Sequence, residues 1–159
     1  MVRARSDTFL IAWIRTYSLY LAWVVSLVAT GGSLFLSEVM RYIPCSLCWY
    51  QRIFMYPLVI LLGRAAIRDD RRMIGYALPL AVIGGCISLY HYAEQKIPGL
   101  AQMLPCSSGV PCDKDYLDWF GVITIPLLAL IAFILIIVAL SLGKKAAADA
   151  ADEEDEIED

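Results

Sequence analysis

Four long apolar stretches, separated by short segments that hold most of the charge, constrain this chain more than any other feature. They run from about Trp13 to Leu36, about Trp49 to Ile67, Met73 to Tyr92, and Trp119 to Leu142. Crossing about 30 Å of hydrocarbon takes roughly 20 helical residues. The first, third and fourth stretches meet that length. The second is weaker, because its uncharged core lies only between Arg52 and Arg64, and it spans only if both arginines reach toward the headgroups. The apolar fraction is 60% and the charged fraction 18%, against about 45–50% and about 25% in soluble domains. Pro57, Pro79 and Pro126 fall inside the stretches. Neighbouring helices can satisfy the carbonyls that proline frees, so these residues point to a packed bundle. The expected fold is an all-α integral membrane protein, a four-helix transmembrane bundle.

The net charge of -3 comes largely from the C-terminal run, and there is no broad basic surface or motif for nucleic acid. Basic residues in short loops set membrane orientation. Nine lie on one side: Arg3, Arg5, Arg15, Arg64, Arg68, Arg71, Arg72, Lys144 and Lys145. Four lie on the other: Arg41, Arg52, Lys96 and Lys114. The richer side is expected to be cytoplasmic, with both termini inside and two loops facing out, about Ser37 to Cys48 and Ala93 to Asp118. Arg3 and Arg5 precede the first stretch as in a signal peptide, but the stretch exceeds a signal core and no good small-x-small site follows, so it reads as a retained span. The segment Arg64 to Arg72 reads as a turn that sets topology. Residues 1–145 form the predicted transmembrane domain, and 146–159, rich in Ala, Asp and Glu, an acidic disordered cytoplasmic tail.

Four of the five cysteines fall in or beside the outer loops: Cys45 and Cys48 in the first, Cys106 and Cys112 in the second. Disulfides persist outside the cytoplasm, so cysteine placement and charge-derived orientation agree. Four cysteines allow three connectivities; the spacing suggests pairing within each loop. Cys86, in the middle of the third stretch, reads as buried, inert filling.

Cys45-Ser46-Leu47-Cys48 sits where a loop enters an apolar helix. A Cys-x-x-Cys pair there marks a redox dithiol or half of a zinc site. Zinc is the weaker reading: Cys106 and Cys112 are too widely spaced for a second half-site, and His91 would have to leave its helix to join. The sequence therefore predicts no metal. Pro44 suits a first helical turn, and unpaired N–H groups at a helix start lower a thiol pKa. Arg52, four residues beyond Cys48, shares that helix face and is expected to favour the thiolate further, although by itself it would read as an interfacial anchor. A dithiol that is repeatedly oxidised needs an acceptor for two electrons and two protons, and at a bilayer edge that is a quinone. Arg52 is placed to stabilise charge on a quinone oxygen. His91, near the outer end of the third stretch, reads either as a quinone donor or proton relay, or as an ordinary interfacial histidine between Tyr90 and Tyr92.

These residues together resemble the DsbB family of bacterial membrane thiol:quinone oxidoreductases. The resemblance covers nearly the whole chain apart from the tail. It rests on Pro44-Cys45-x-x-Cys48 followed by Arg52, on His91 and Gln95, on the second-loop cysteines, and on Asp118-Trp119-Phe120-Gly121 leading to Pro126. It implies that a soluble thioredoxin-fold oxidase resembling DsbA or BdbD, outside the cytoplasm, is reoxidised at Cys106, that Cys112 then attacks Cys45, and that Cys48 faces a membrane quinone, ubiquinone or menaquinone. Arg52 matches the family's quinone-contacting arginine and His91 its histidine near the ring. The second-loop cysteines are closer together than in the best-known members, separated only by Ser107 to Pro111, as in the short BdbC-type members of Gram-positive bacteria. The apolar segment Ile97 to Leu104 either carries that pair toward Cys45 along the membrane surface or caps the bundle. The implied setting is the bacterial cytoplasmic membrane. A non-enzymatic four-span protein with structural disulfides in its outer loops is the alternative. A quinone reductase of the vitamin K epoxide reductase type fits less well, since its active pair lies on a late helix.

Overall fold

A computed structural model describes the backbone of residues 2–97 and 124–158. The described residues form four long helices: α1 (Val2–Leu34), α2 (Ser46–Arg68), α3 (Ile74–Lys96) and α4 (Ile125–Glu158). A π-helical turn, Phe35–Val39, finishes α1, and a 3-10 turn, Arg71–Met73, precedes α3. A chain this apolar has few alternatives. In hydrocarbon every backbone N–H and C=O must be satisfied within the structure, and a helix does this locally.

The helices pack in a ring, α1 on α2, α2 on α3, α3 on α4, and α4 back on α1. Leu19, Leu58, Leu62, Phe133, Ile136 and Leu140 fill the middle, with Ala22, Ala65, Ala77 and Ala81 buried among them. Without a hydrophobic driving force between helices in lipid, small residues that let backbones approach provide the packing. Gly63 shows this directly: a Cβ built there would lie 2.8 Å from the indole nitrogen of Trp23. At Gly84 an added Cβ would run into the ring of Phe133, so glycine is what allows α3 to take the α4 phenyl group. The outer surface carries large apolar side chains, including Val28, Ile60 and Ile67. An apolar surface all round a bundle is one that lipid covers.

Among the described residues, three helices are long and apolar enough to cross a membrane, over Tyr17–Val39, Arg71–Lys96 and Ile125–Lys145. The weak second stretch forms α2, whose 23 residues rise about 1.5 Å each and so match the bilayer in length. It falls short in hydropathy, and packing between α1 and α3 holds it in the bundle. Asp69 closes α2 in the left-handed region at φ 49°, and Asp70 caps the next turn by accepting from the Arg72 N–H at 3.1 Å. This makes the charged segment between α2 and α3 a tight hairpin, as its shortness predicts.

Two expectations change, and one lies outside what is described. The predicted start of the fourth span at Trp119 lies outside the described residues; α4 is described from Ile125, which puts Pro126 in its first turn, where a missing N–H is harmless. The backbone of the tail continues α4 as helix to Glu158, where disorder was expected from its charge. Alanine and glutamate are strong helix formers, and α4 gives them a helix to extend without a new nucleation step. Cys86 is exposed on the outside of the bundle, because Gly84 and Gly85 occupy the inward face of that turn.

Candidate active site

The site lies at one end of the bundle, where α2 begins. Cys45 is the N-cap of α2, in an extended conformation, and its sulfur accepts from the Cys48 backbone N–H at 3.4 Å. Pro44 precedes the cap and does not stand in the first helical turn, where the sequence puts it; the helix start alone does what the motif predicts and aims the Cys48 N–H at a sulfur. The two Sγ atoms are 3.1 Å apart and both cysteines are free thiols in this structure. Cys45 is buried and Cys48 partly so.

His91, on α3, reaches the same point. It is 1% exposed, and its Nε2 lies 3.7 Å from Cys45 Sγ. Its Nδ1 is 3.0 Å from Gln51 Nε2 on α2. The expectation that His91 would have to leave its helix to meet the cysteines is overturned. The ring packing of α2 against α3 brings residues 46 positions apart together while both helices stay intact.

These contacts decide where negative charge resides. The shared hydrogen bond with Cys48 pulls the Cys45 thiol down to about 4 against the opposing effect of burial, and His91 and the Cys48 N–H add to the pull. Arg52 acts on the pair through Cys48, whose thiolate its charge favours as its position on the helix predicts, and not on Cys45. Its guanidinium donates to the Ser33 carbonyl at 3.1 Å and stacks 5.3 Å from the Trp49 ring centroid. Ser33 stands where α1 passes into its π-helical turn, and its carbonyl also accepts from the Ser37 hydroxyl at 3.3 Å.

Cys45, Cys48, Gln51, Arg52 and His91 open onto one cavity of about 500 Å³, within the range of small-molecule and cofactor sites. Its walls are mostly apolar and come from α1, α2 and α4, with Gln95 and Thr124 among the few further polar groups. Arg52 is the one arginine, lysine or carboxylate side chain among the described residues lining it. A largely apolar chamber with a dithiol, an imidazole and one guanidinium suits a lipid-soluble ring with polar oxygens. Cys106 and Cys112 lie outside the described residues, as do Asp118 to Gly121 and most of the segment Ile97 to Leu104.

Sequence reasoning did not single out Gln51 or Ser33. Gln51 had a signal: it is an amide inside an apolar helix, one residue before the arginine. Ser33 had none, because it takes part through its carbonyl.

Comparison with known proteins gives a consistent result. The family model described as disulfide bond formation protein DsbB matches residues 15–143. Disulfide bond formation protein C of Bacillus subtilis is 58% identical over 130 residues, covering 82% of this chain and 94% of that protein. Probable disulfide formation protein C 1 of Bacillus cereus is 55% identical, over 77% and 88% of the two chains. A probable disulfide formation protein of Coxiella burnetii is 50% identical, over 84% and 95%. No solved structure matches significantly.

Proposed function

The chain belongs to the DsbB family of disulfide bond formation proteins, and from that premise we propose that it is a membrane oxidoreductase that takes electrons from an extracytoplasmic DsbA-like thiol oxidase and delivers them to a quinone. The observation that carries the reading is the Cys45–Cys48 dithiol beside His91, opening onto the same apolar cavity as Arg52.

Electrons enter through the second-loop pair. A thiolate of the reduced partner attacks the Cys106–Cys112 disulfide, and a second partner thiol resolves the mixed disulfide, leaving the partner oxidised and the loop pair reduced. A loop thiolate then attacks Cys45 of the Cys45–Cys48 disulfide, and Cys48 leaves. Resolution restores the loop disulfide and leaves the Cys45–Cys48 dithiol. Each exchange moves two electrons and creates no net disulfide.

The quinone, when bound, supplies the terminal acceptor for two electrons and two protons. Arg52 and Cys48 would hold it, with His91 at the cavity wall. Because Cys45 is held as a thiolate, the dithiol releases only one proton on forming its disulfide. A second proton must reach the site from outside the pair, and His91 is the imidazole in contact with it. Arg52, fixed by Ser33 and Trp49, offers its remaining donors to an acceptor oxygen. The walls exclude water and so strengthen these charged contacts. The outward facing of the cysteines follows from the excess of basic residues on the opposite side.

The test is the purified protein mixed with a reduced thioredoxin-fold oxidase, with absorbance followed as ubiquinone or menaquinone analogues are added. Quinone consumption matched by partner oxidation is expected. In cells, Cys106→Ser or Cys112→Ser should trap one stable mixed disulfide with the partner. Disulfides that stay oxidised when quinone is depleted would instead mark the pairs as structural.

A further inference from the structure

We propose that the dithiol form of the protein binds one soft divalent cation, such as Zn²⁺, through Cys45, Cys48 and His91. The inference is independent of which partner or quinone the site serves. The three ligand atoms all lie within 4.8 Å of one another. Tetrahedral zinc with Zn–S of about 2.3 Å and Zn–N of about 2.0–2.1 Å places sulfurs about 3.8 Å apart and sulfur about 3.6 Å from nitrogen. The Cys45 Sγ to His91 Nε2 distance is already 3.7 Å. The sulfurs, 3.1 Å apart, need to separate by less than about 1 Å.

Two further features fit a ligand set. A metal-bound imidazole commonly donates its other N–H to a polar partner that fixes the ring, and Gln51 stands 3.0 Å from that nitrogen; turning its amide presents the oxygen as acceptor. Charge also balances. Both sulfurs bind as thiolates with their protons released to solvent, and the product of a divalent ion with two thiolates and a neutral imidazole carries no net charge. A neutral centre avoids most of the penalty for burying ions in an apolar chamber. Arg52, the nearby cation, is directed to Ser33 and Trp49. Three protein ligands leave a fourth position facing the cavity. No electron moves, but sulfurs bound to the metal cannot form a disulfide, so the ion would hold the pair reduced and silent.

The experiment uses the full chain in detergent carrying Cys86→Ala, Cys106→Ser and Cys112→Ser, leaving only the first pair. The reduced protein is loaded with Zn²⁺, freed of excess metal and studied by zinc-edge X-ray absorption, with affinity measured against a chromophoric chelator. One retained equivalent, a shell containing two sulfurs and one imidazole, and little binding by the oxidised protein are expected. His91→Ala should weaken binding at least tenfold. Loss of zinc on desalting, equal binding by the oxidised form, a shell without imidazole, or unchanged affinity in His91→Ala would each overturn the site. Because all readouts are of metal, a failure of the quinone reaction leaves them unaffected.

Discussion

The two ends of the helix α2 follow opposite rules. Toward its C-terminus, Leu58, Leu62, Ala65 and Ala66 are buried against their neighbours, and Gly63 receives the Trp23 indole so closely that one extra carbon would not fit. At its N-terminus, the same helix borders a cavity of about 500 Å³ and presents Cys45, Cys48, Gln51 and Arg52 to it. The packed part obtains stability from close contact between small and large apolar groups. The open part forgoes that contact and instead satisfies its polar groups pairwise, Gln51 with His91 and Arg52 with the Ser33 carbonyl. Chemistry needs the second arrangement, because a sulfur sealed in a close-packed core can neither be attacked nor give up electrons. The difference predicts that substitutions at the two ends fail in different ways.

The largest expected effect is at the sulfurs. Cys48→Ala should reduce turnover with quinone to background while the thermal unfolding midpoint stays near that of the parent; a large fall in the midpoint would mean that the open end carries more of the stability than the comparison allows. Next comes Arg52→Met, which should raise the quinone KM about 10–100-fold, the size of a lost charged hydrogen bond of about 1.5–3 kcal/mol. Oxidation of the partner in a single turnover should survive, and equal loss of both would place the defect in folding. Gly84→Val probes the packed region: forcing side-chain carbons into the Phe133 ring should destabilise the bundle by about 1–3 kcal/mol, read in denaturant or heat, with the quinone KM within about twofold of the parent below the transition. A smaller effect is expected from Gln51→Leu. Freeing His91 from a neutral hydrogen bond worth about 0.5–1.5 kcal/mol should slow turnover about twofold to tenfold without altering quinone affinity.

The most delicate test is acid titration of the reduced pair, followed by thiolate ultraviolet absorbance in a variant lacking the other cysteines. The Cys45 pKa is lowered, so its charge is complete well above about pH 4 and is lost as pH falls through that value. An ordinary thiol would already have lost it below about 8.5. Absorbance of one thiolate persisting at pH 6 is the expected result. Its disappearance near 8.5 would mean that the contacts of Cys45 with Cys48 and His91 do not stabilise charge.

Much of the site was legible because its first part is local. Pro44, Cys45, Cys48 and Arg52 are near neighbours in the chain, and helix geometry alone carries the positions of the cap, the pair and the arginine. What was missed required knowing which helices touch. Arg52 shares a face with Cys48 and its charge acts there as expected, but nothing in the local sequence shows that the Ser33 carbonyl of α1 takes the guanidinium. His91 read equally as a quinone donor or proton relay and as an interfacial residue between two tyrosines, and its contact with Cys45 stayed hidden because nothing in its neighbourhood records that α3 faces α2 at that turn. Cys86 was expected inside, and periodicity could not orient it: the third stretch is apolar all round, so it does not show which face turns to lipid.

By itself the sequence determined that the chain lies in a membrane as a bundle of helices and carries a redox-type cysteine pair at the start of one of them. Those outcomes follow from hydrocarbon length, backbone hydrogen bonding and local spacing, all of which act within a single segment. Tertiary structure decided that an imidazole from α3 meets the sulfur of Cys45, that a carbonyl from α1 takes the arginine, and that all of them border one chamber. Those outcomes depend on the rotation of each helix about its axis, which is set by how glycines and alanines fit against bulky partners on other helices and is written in no single stretch of the chain.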